Sequence, residues 1–305
     1  MDQIQAMRIF VRVVEAGTFT RAADSLSLPK ATVTKHVQAL EARLRVKLLN
    51  RTTRRVTVTP DGAAYYDRTV RLLTDLDDIE ASMTNARANP RGRLRVDVGT
   101  AVAQLLILPH LADFHARYPD IQVDLGVSDR MVDLIGDNVD CVIRGGELAD
   151  QSLVARRIGS LEFITVASPD YLARHGTPAH PLEIEQKHMS VIYSSPQTGR
   201  HYPLEFHQGD ESIEITGPYR LSVNESNAYL TSLVAGLGIG QITTFQAVRH
   251  FEAGTLVQLL PQWTQPLLPV YVVYPPNRHL SAKVRAFVDW AAELFEREAR
   301  RQGMR

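Results

Sequence analysis

Phe19-Thr20-Arg21-Ala22-Ala23-Asp24-Ser25-Leu26-Ser27-Leu28-Pro29-Lys30-Ala31-Thr32-Val33-Thr34-Lys35-His36-Val37-Gln38-Ala39-Leu40-Glu41 contains two short helical patterns around one break. Thr18 is placed to cap the first, which carries Ala22, Ala23 and Leu26 on one side. Ser27-Leu28-Pro29 interrupts it, and Val33, Val37, Leu40 and Leu44 then recur at helical spacing. The small side chains at Ala22 and Ala23 allow two helices to cross closely. With a connection this short, the second helix presents Lys30, Thr32, Thr34, Lys35 and Gln38 outward, which is the arrangement of a helix-turn-helix.

Moving outward, Ile4, Met7, Phe10, Val11 and Val14 form a preceding amphipathic helix that Gly17 stops. Downstream, Arg54-Arg55-Val56-Thr57-Val58-Thr59 alternates as a short β-ribbon would. Residues 1–60 hold eleven Lys or Arg against four Asp or Glu, +7, although the whole chain balances 34 against 34. A basic head on an acidic body points to a polyanionic partner, with a solvated charged surface as the competing explanation. Thr59-Pro60 is a helix start, and Asp61–Arg87 contains no internal proline. Its apolar positions Tyr65, Leu72, Leu76, Ile79 and Met83 trace a heptad seam weakened only by Thr69. Such a stripe packs either on its own chain or on a partner helix. The partner is favoured because the segment joins two domains and ends at the plain linker Asn89-Pro90-Arg91-Gly92.

From Leu94 onward, strand-like runs alternate with helix-like ones. The expected strands are 94–99, 121–127, 141–144, 162–167, 221–223, 239–243 and 270–274. The expected helices are 104–118, 131–136, 169–175, 228–235, 245–252 and 281–301. This is an α/β alternation over more than 200 residues, enough for two lobes. Ligands of open α/β sheets sit at strand carboxyl ends, against helix N-termini. Thr100, Ser128 and the turn after Val223 fall there.

The head resembles the winged helix-turn-helix of LysR-type transcriptional regulators. Phe19–Leu26 matches that family's second helix and Thr32–Glu41 its recognition helix; Leu48–Arg54 and Val58–Gly62 match its wing and linker entry. Tyr118-Pro119, Ser128-Asp129-Arg130, Gly236-Leu237-Gly238-Ile239 and Lys283–Phe287 look like its effector domain, itself similar to two-lobed periplasmic binding proteins. The resemblance implies an α+β multidomain chain. Its parts would be a winged helix-turn-helix (1–60), a linker and dimerisation helix (61–89) and a two-lobed α/β effector domain (90–305). Lobe I would take about 90–161 and 268–305, and lobe II about 162–267. Two positions depart from the family pattern. Pro29-Lys30 stands where a Ser-Gln pair is usual, and Thr243 or Thr244 replaces a common proline.

The DNA contacts so implied are Thr18, Thr20, Lys30, Thr32, Thr34, Lys35 and Gln38, with Arg51, Arg54 and Arg55 near the wing for phosphate or the minor groove. The effector residues are Thr100, Ala101, Ser128, Arg144, Ser194, Asn224 and Ser226. Hydroxyls and helix-start amides with Arg144 suit a carboxylate, while capping by Ser128 and pairing of Arg144 with a nearby Asp are the competing structural roles. The expected partners are double-stranded DNA, a small-molecule effector of unspecified identity, and further copies of the chain: a homodimer through the linker helix and a dimer of dimers. No cofactor, metal or membrane is expected, and the compartment is reducing and cytoplasmic. Cys141 is the single cysteine, and apolar runs such as Leu105–Leu108 are far below a bilayer span. Met1-Asp2-Gln3 opens without a secretory pattern.

Gly236-Leu237-Gly238-Ile239-Gly240 follows a helix and precedes a strand, the reverse of a dinucleotide loop, and suits a tight turn. No nucleophile elbow, phosphate loop or His-Glu-x-x-His occurs, and His175, His180 and His188 are expected at the surface. An enzyme or a sequestering protein on a two-lobed fold is the alternative. The basic head disfavours it, and no enzyme activity is expected.

Overall fold

The computed structural model describes residues 2–51, 56–83, 90–134, 137, 139–146, 153–276 and 280–301. It divides into two compact units, Met1–Ala88 and Asn89–Arg305.

The first unit opens with α1 (Gln3–Ala16), capped by the Asp2 carboxylate on the Ile4 and Gln5 amides and closed by Gly17 at φ 69°. Thr18 then caps α2 (Phe19–Leu26) through the Arg21 amide, and Ser27 ends it at φ 53°. α3 (Lys30–Leu44) starts on Pro29, which provides no side-chain cap. β1 (Leu49–Arg51) and β2 (Val56–Val58) pair antiparallel as a wing. α4 (Pro60–Met83) follows. Ile9, Phe10, Val13, Ala22, Ala23, Val33, Val37, Leu40, Leu48 and Leu49 form one core, each large side chain contributing about 1.5–3 kcal/mol of burial. Ala22 and Ala23 sit in it at 0% and 3% exposure, where larger side chains would hold α2 away from α3.

Two contacts fix the wing. Glu41, 6% exposed on α3, accepts the Leu48 and Leu49 amides through Oε1 at 3.0 and 3.1 Å. Gly62, in the first turn of α4, lies so close that an added Cβ would stand 2.0 Å from the Leu48 carbonyl oxygen. Thr59 closes the junction, donating its hydroxyl to the Lys47 carbonyl at 2.7 Å and accepting the Gly62 amide at 2.9 Å.

α4 corrects part of the expected seam. Tyr65 packs edge-on to Phe10, with ring centroids 5.5 Å apart, and Thr69 and Leu73 are buried, so one face of the helix lies on its own chain as far as Leu73. Leu72, by contrast, is 53% exposed. The Ile79 and Met83 side chains fall outside the described residues, as do Arg54, Arg55 and Asn89.

The second unit has two lobes. In the first, β3 (Gly92–Val98), β4 (Ile121–Val127), β5 (Cys141–Gly145), β6 (Val154–Leu161) and β14 (Leu268–Tyr274) form a sheet in the order β4-β3-β5-β14-β6. β4 and β5 run parallel to β3, and β14 is antiparallel to β5 and β6. One helical stretch crosses this sheet: α5 (Thr100–Val102), a π turn (Ala103–Ile107) and α6 (Leu108–Arg117). It starts four residues before the expected 104. The π turn ends two residues before Pro109, whose missing N–H breaks the regular bonding ladder. α11 (Ala282–Arg301) completes the core with Phe287, Trp290 and Leu294.

The second lobe contains β7 (Phe163–Ala167), α7 (Pro169–His175), α8 (Pro181–Lys187), β8 (Ser190–Tyr193), β9 (Leu204–Gln208), β10 (Glu211–Ile215), β11 (Tyr219–Val223), α9 (Ser226–Val234), β12 (Gly240–Thr243), α10 (Thr244–Glu252) and β13 (Val257–Leu259). β12 and β13 flank β7 antiparallel, β11 runs parallel to β8, and β9 and β10 make a hairpin. Gly236-Leu237-Gly238 is the expected helix-to-strand turn. Gly236 has φ 71°, and a Cβ on Gly238 would meet the Met189 carbonyl at 2.5 Å. Where the family commonly carries a proline, Thr243 starts α10 with a capping box shared with Gln246.

Two expectations are corrected. Met131–Asp133 carries no regular structure. The Asp133 amide is taken by the Asp137 carboxylate at 3.1 Å, and such side-chain bonds compete with the helix. His188, expected at the surface, is 4% exposed, with the Tyr171 hydroxyl 3.4 Å from its Nδ1. Burial holds its pKa below the ordinary 6.5, His175 and Lys187 push the same way, and Glu183 opposes them. Between 6.5 and the lower folded value only the unfolded chain takes up the proton. Stability from this group is therefore present above pH 6.5 and lost as pH falls through that window. The Tm followed by fluorescence of Trp263 and Trp290 is expected to fall from pH 7 to pH 5, and to fall less in His188→Gln. Equal falls in the two proteins would exclude His188 as a source.

Candidate functional site

Two sites emerge, one in each unit. The first is the outer face of α3. Its inner face, Val33, Val37, Leu40 and Glu41, is spent on the core and the wing. That leaves Lys30, Lys35 and Gln38 exposed, with Thr32 and Thr34 half-buried beside them. The first-turn amides of α3 have no side-chain acceptor because Pro29 brings no capping oxygen. Thr18 is occupied as the α2 cap, and Thr20 on the first turn of α2 is exposed. Arg51 ends β1.

The second site is a cleft of about 490 Å³ between the two lobes of the second unit, lined by Thr100, Val127, Ser128, Asp129, Arg130, Pro196, Asn224, Glu225 and Asn227. Thr100, Ser128 and Asn224 from the sequence expectation thus gather here. The Ser128 hydroxyl also accepts the Arg130 amide at 3.0 Å. Ser226 joins through its backbone, donating to Asp129 Oδ2 at 2.6 Å.

Three other expected residues are engaged elsewhere. Arg144 ion-pairs with Asp97 and donates to the Arg130 carbonyl at 3.0 Å. Its fork is filled by its own chain, and burial pushes the Asp97 carboxyl up against the pull of that guanidinium. The Ser194 hydroxyl donates to the Val223 carbonyl at 3.2 Å. Ala101 packs on the first lobe's core.

The residue that organises the cleft is Asp129, which the sequence placed only within a motif. Its Oδ1 accepts the Thr100 amide at 2.8 Å, and its Oδ2 accepts the Ser226 amide and, at 3.3 Å, the Tyr193 hydroxyl. Burial, then the Asp129 charge, raises the Tyr193 pKa and keeps the phenol a donor. Glu225 caps the remaining first-turn amides of α9, Asn227 at 2.9 Å and Ala228 at 2.8 Å.

Comparison with known proteins matches both units to one family. Residues 4–63 match the bacterial regulatory helix-turn-helix proteins of the lysR family, and residues 87–296 match the LysR substrate binding domain. The chain belongs to the LysR family. It is a LysR-type DNA-binding transcriptional regulator with a C-terminal effector-binding domain. A helix-turn-helix transcriptional repressor from Pseudomonas aeruginosa is 43% identical over 295 residues, 97% of this chain and 93% of its own. The LysR-type regulator CrgA from Neisseria meningitidis is 31% identical in its solved structure. It aligns with a TM-score of 0.61 over 95% of this chain and 98% of that one. The Vibrio cholerae virulence activator AphB is 29% identical, with a TM-score of 0.57 over 95% and 98%. In this LysR-type chain no described helix is long and apolar enough to cross a membrane.

Proposed function

We propose that this LysR-type regulator acts in the cytoplasm as a homodimer, and further as a dimer of dimers, seating α3 of each copy in the major groove of double-stranded DNA. The observation that carries this reading is the division of α3 into a buried face and an exposed face bearing Lys30, Lys35 and Gln38. A helix of this kind fits the groove where base edges are distinguishable. Thr32 and Thr34 lie beside these three, Thr18 and Thr20 face the backbone from α2, and Arg51, with Arg54 and Arg55 outside the described residues, adds phosphate or minor-groove contacts. A small molecule binds between the lobes against Thr100, Ser128, Asn224 and Ser226, and its preference for one arrangement of the lobes couples to DNA.

Dimerisation through α4 is supported by Leu72, 53% exposed on a long helix whose neighbouring turns are already packed. DNA upstream of the chain's own coding sequence is the natural first target. Footprinting at low salt is expected to protect an interrupted inverted repeat, with half-sites a multiple of about 10.5 base pairs apart. Leu72→Glu is expected to halve the particle mass by light scattering and to shrink the footprint. Absence of protection at low salt would overturn the DNA reading. Unchanged mass and footprint in Leu72→Glu would remove α4 as the dimer contact.

A further inference from the structure

We infer that Asp129 is a built-in anion that ties the two lobes together when no effector is bound, so that an anionic effector competes with the protein's own side chain. Asp129 follows β4 in the first lobe. One of its carboxylate oxygens accepts the amide that begins the helical stretch at Thr100, in its own lobe, at 2.8 Å. The other accepts the amide that begins α9 at Ser226, in the second lobe, at 2.6 Å, with the Tyr193 hydroxyl at 3.3 Å. A single carboxylate therefore joins both lobes through donors that a bound anion would otherwise use. The neighbouring amides of α9 are not spare, because Glu225 accepts those of Asn227 and Ala228. Ser226 is thus the first-turn donor of α9 that reaches across the cleft.

The inference rests on the cleft being the effector site. It adds that the protein's own carboxylate already holds these donors: an arriving carboxylate gains them only by turning Asp129 out, which releases the direct tie between the lobes. A ligand without a negative charge would leave the tie in place.

Hydrogen–deuterium exchange on the full-length chain, without DNA or effector, tests this at the amides of Thr100 and Ser226. In Asp129→Ala both are expected to exchange at least about tenfold faster, as loss of a charged acceptor implies. Formate at roughly 100 mM, a detached carboxylate, is expected to restore protection in the variant and leave the wild type unchanged, while chloride at equal ionic strength restores nothing. Should Asp129→Ala fold poorly, Asp129→Asn provides the same reading. A carboxamide has one acceptor oxygen and so serves only one of the two amides, leaving the other deprotected. Wild-type protection of both amides in either variant would overturn the inference, as would formate protecting wild type and Asp129→Ala equally. Because neither DNA nor effector enters the measurement, its failure would leave the DNA-binding and effector readings standing; failure of the effector reading would leave the Asp129 tie standing and remove only the competition with an effector.

Discussion

Glu41→Ala is expected to cost the first unit about 3–5 kcal/mol and to remove most DNA binding at 25 °C, because it leaves two buried amides without an acceptor. Glu41 is an acid on the inner face of α3, 6% exposed, with the Leu48 and Leu49 amides on a single carboxylate oxygen. Hydrogen bonds to a charged acceptor contribute about 1.5–3 kcal/mol each, and a buried donor left bare costs a similar amount. The ion pair with Lys47, 3.9 Å away and 79% exposed at the lysine, adds little. Glu41→Gln keeps an acceptor oxygen and is expected to lose only about 1–2 kcal/mol. The two units allow a clean measurement, since Trp263 and Trp290, the only tryptophans, both lie in the second. In urea, the far-ultraviolet circular dichroism of Glu41→Ala should begin to fall at lower denaturant while the tryptophan transition stays in place. Unshifted transitions by both probes would refute the assignment.

Glu41 also marks where sequence reasoning stops. The helices of the head were legible because Val33, Val37 and Leu40 repeat at 3.6 residues and Gly17 and Pro29 punctuate them, all local signals. The partners of Glu41 lie seven and eight residues downstream, beyond any helix, so the acid reads locally as one more solvated charge. The cleft divides in the same way. Thr100 and Ser128 follow strand ends, and the strand-end rule reached them. The role of Asp129 depends on amides 29 residues before it and 97 after it, brought together only by the closure of two lobes. Arg144 shows the converse. It follows the rule's placement, but Asp97, on the strand beside it, takes the guanidinium. In the second lobe the β9–β10 hairpin turns on Gly209-Asp210, a recognisable two-residue loop, but its strands carry Glu205, His207, Glu211 and Glu214 and lack an apolar run. β6 is similarly masked by Arg156 and Arg157 on an edge strand, where exposed charge protects against stray pairing.

Replacing Lys30 and Lys35 together by alanine is expected to weaken DNA binding about a hundredfold or more near physiological salt, with the fold intact. Both side chains stand exposed on α3, outside the core and the wing contacts, so their removal exposes no apolar surface. Each lysine that meets a phosphate releases about 0.9 of a counterion from duplex DNA, and a dimer carries two copies of each. If all four contacts are to phosphate, the slope of log affinity against log salt falls by about four units, and the loss is similar on specific and unrelated duplexes. If Lys30, where a glutamine is usual in the family, instead reads a guanine edge, the slope falls by about two units. The remaining loss would then concentrate on the cognate site, at roughly 1–3 kcal/mol per base contact. The double Lys→Arg replacement separates charge from geometry. It keeps the phosphate slope, whereas a guanidinium fork at position 30 alters the preference at the base it faces. An unchanged salt slope together with unchanged affinity in the double alanine variant would place the DNA on some face of the head other than this end of α3.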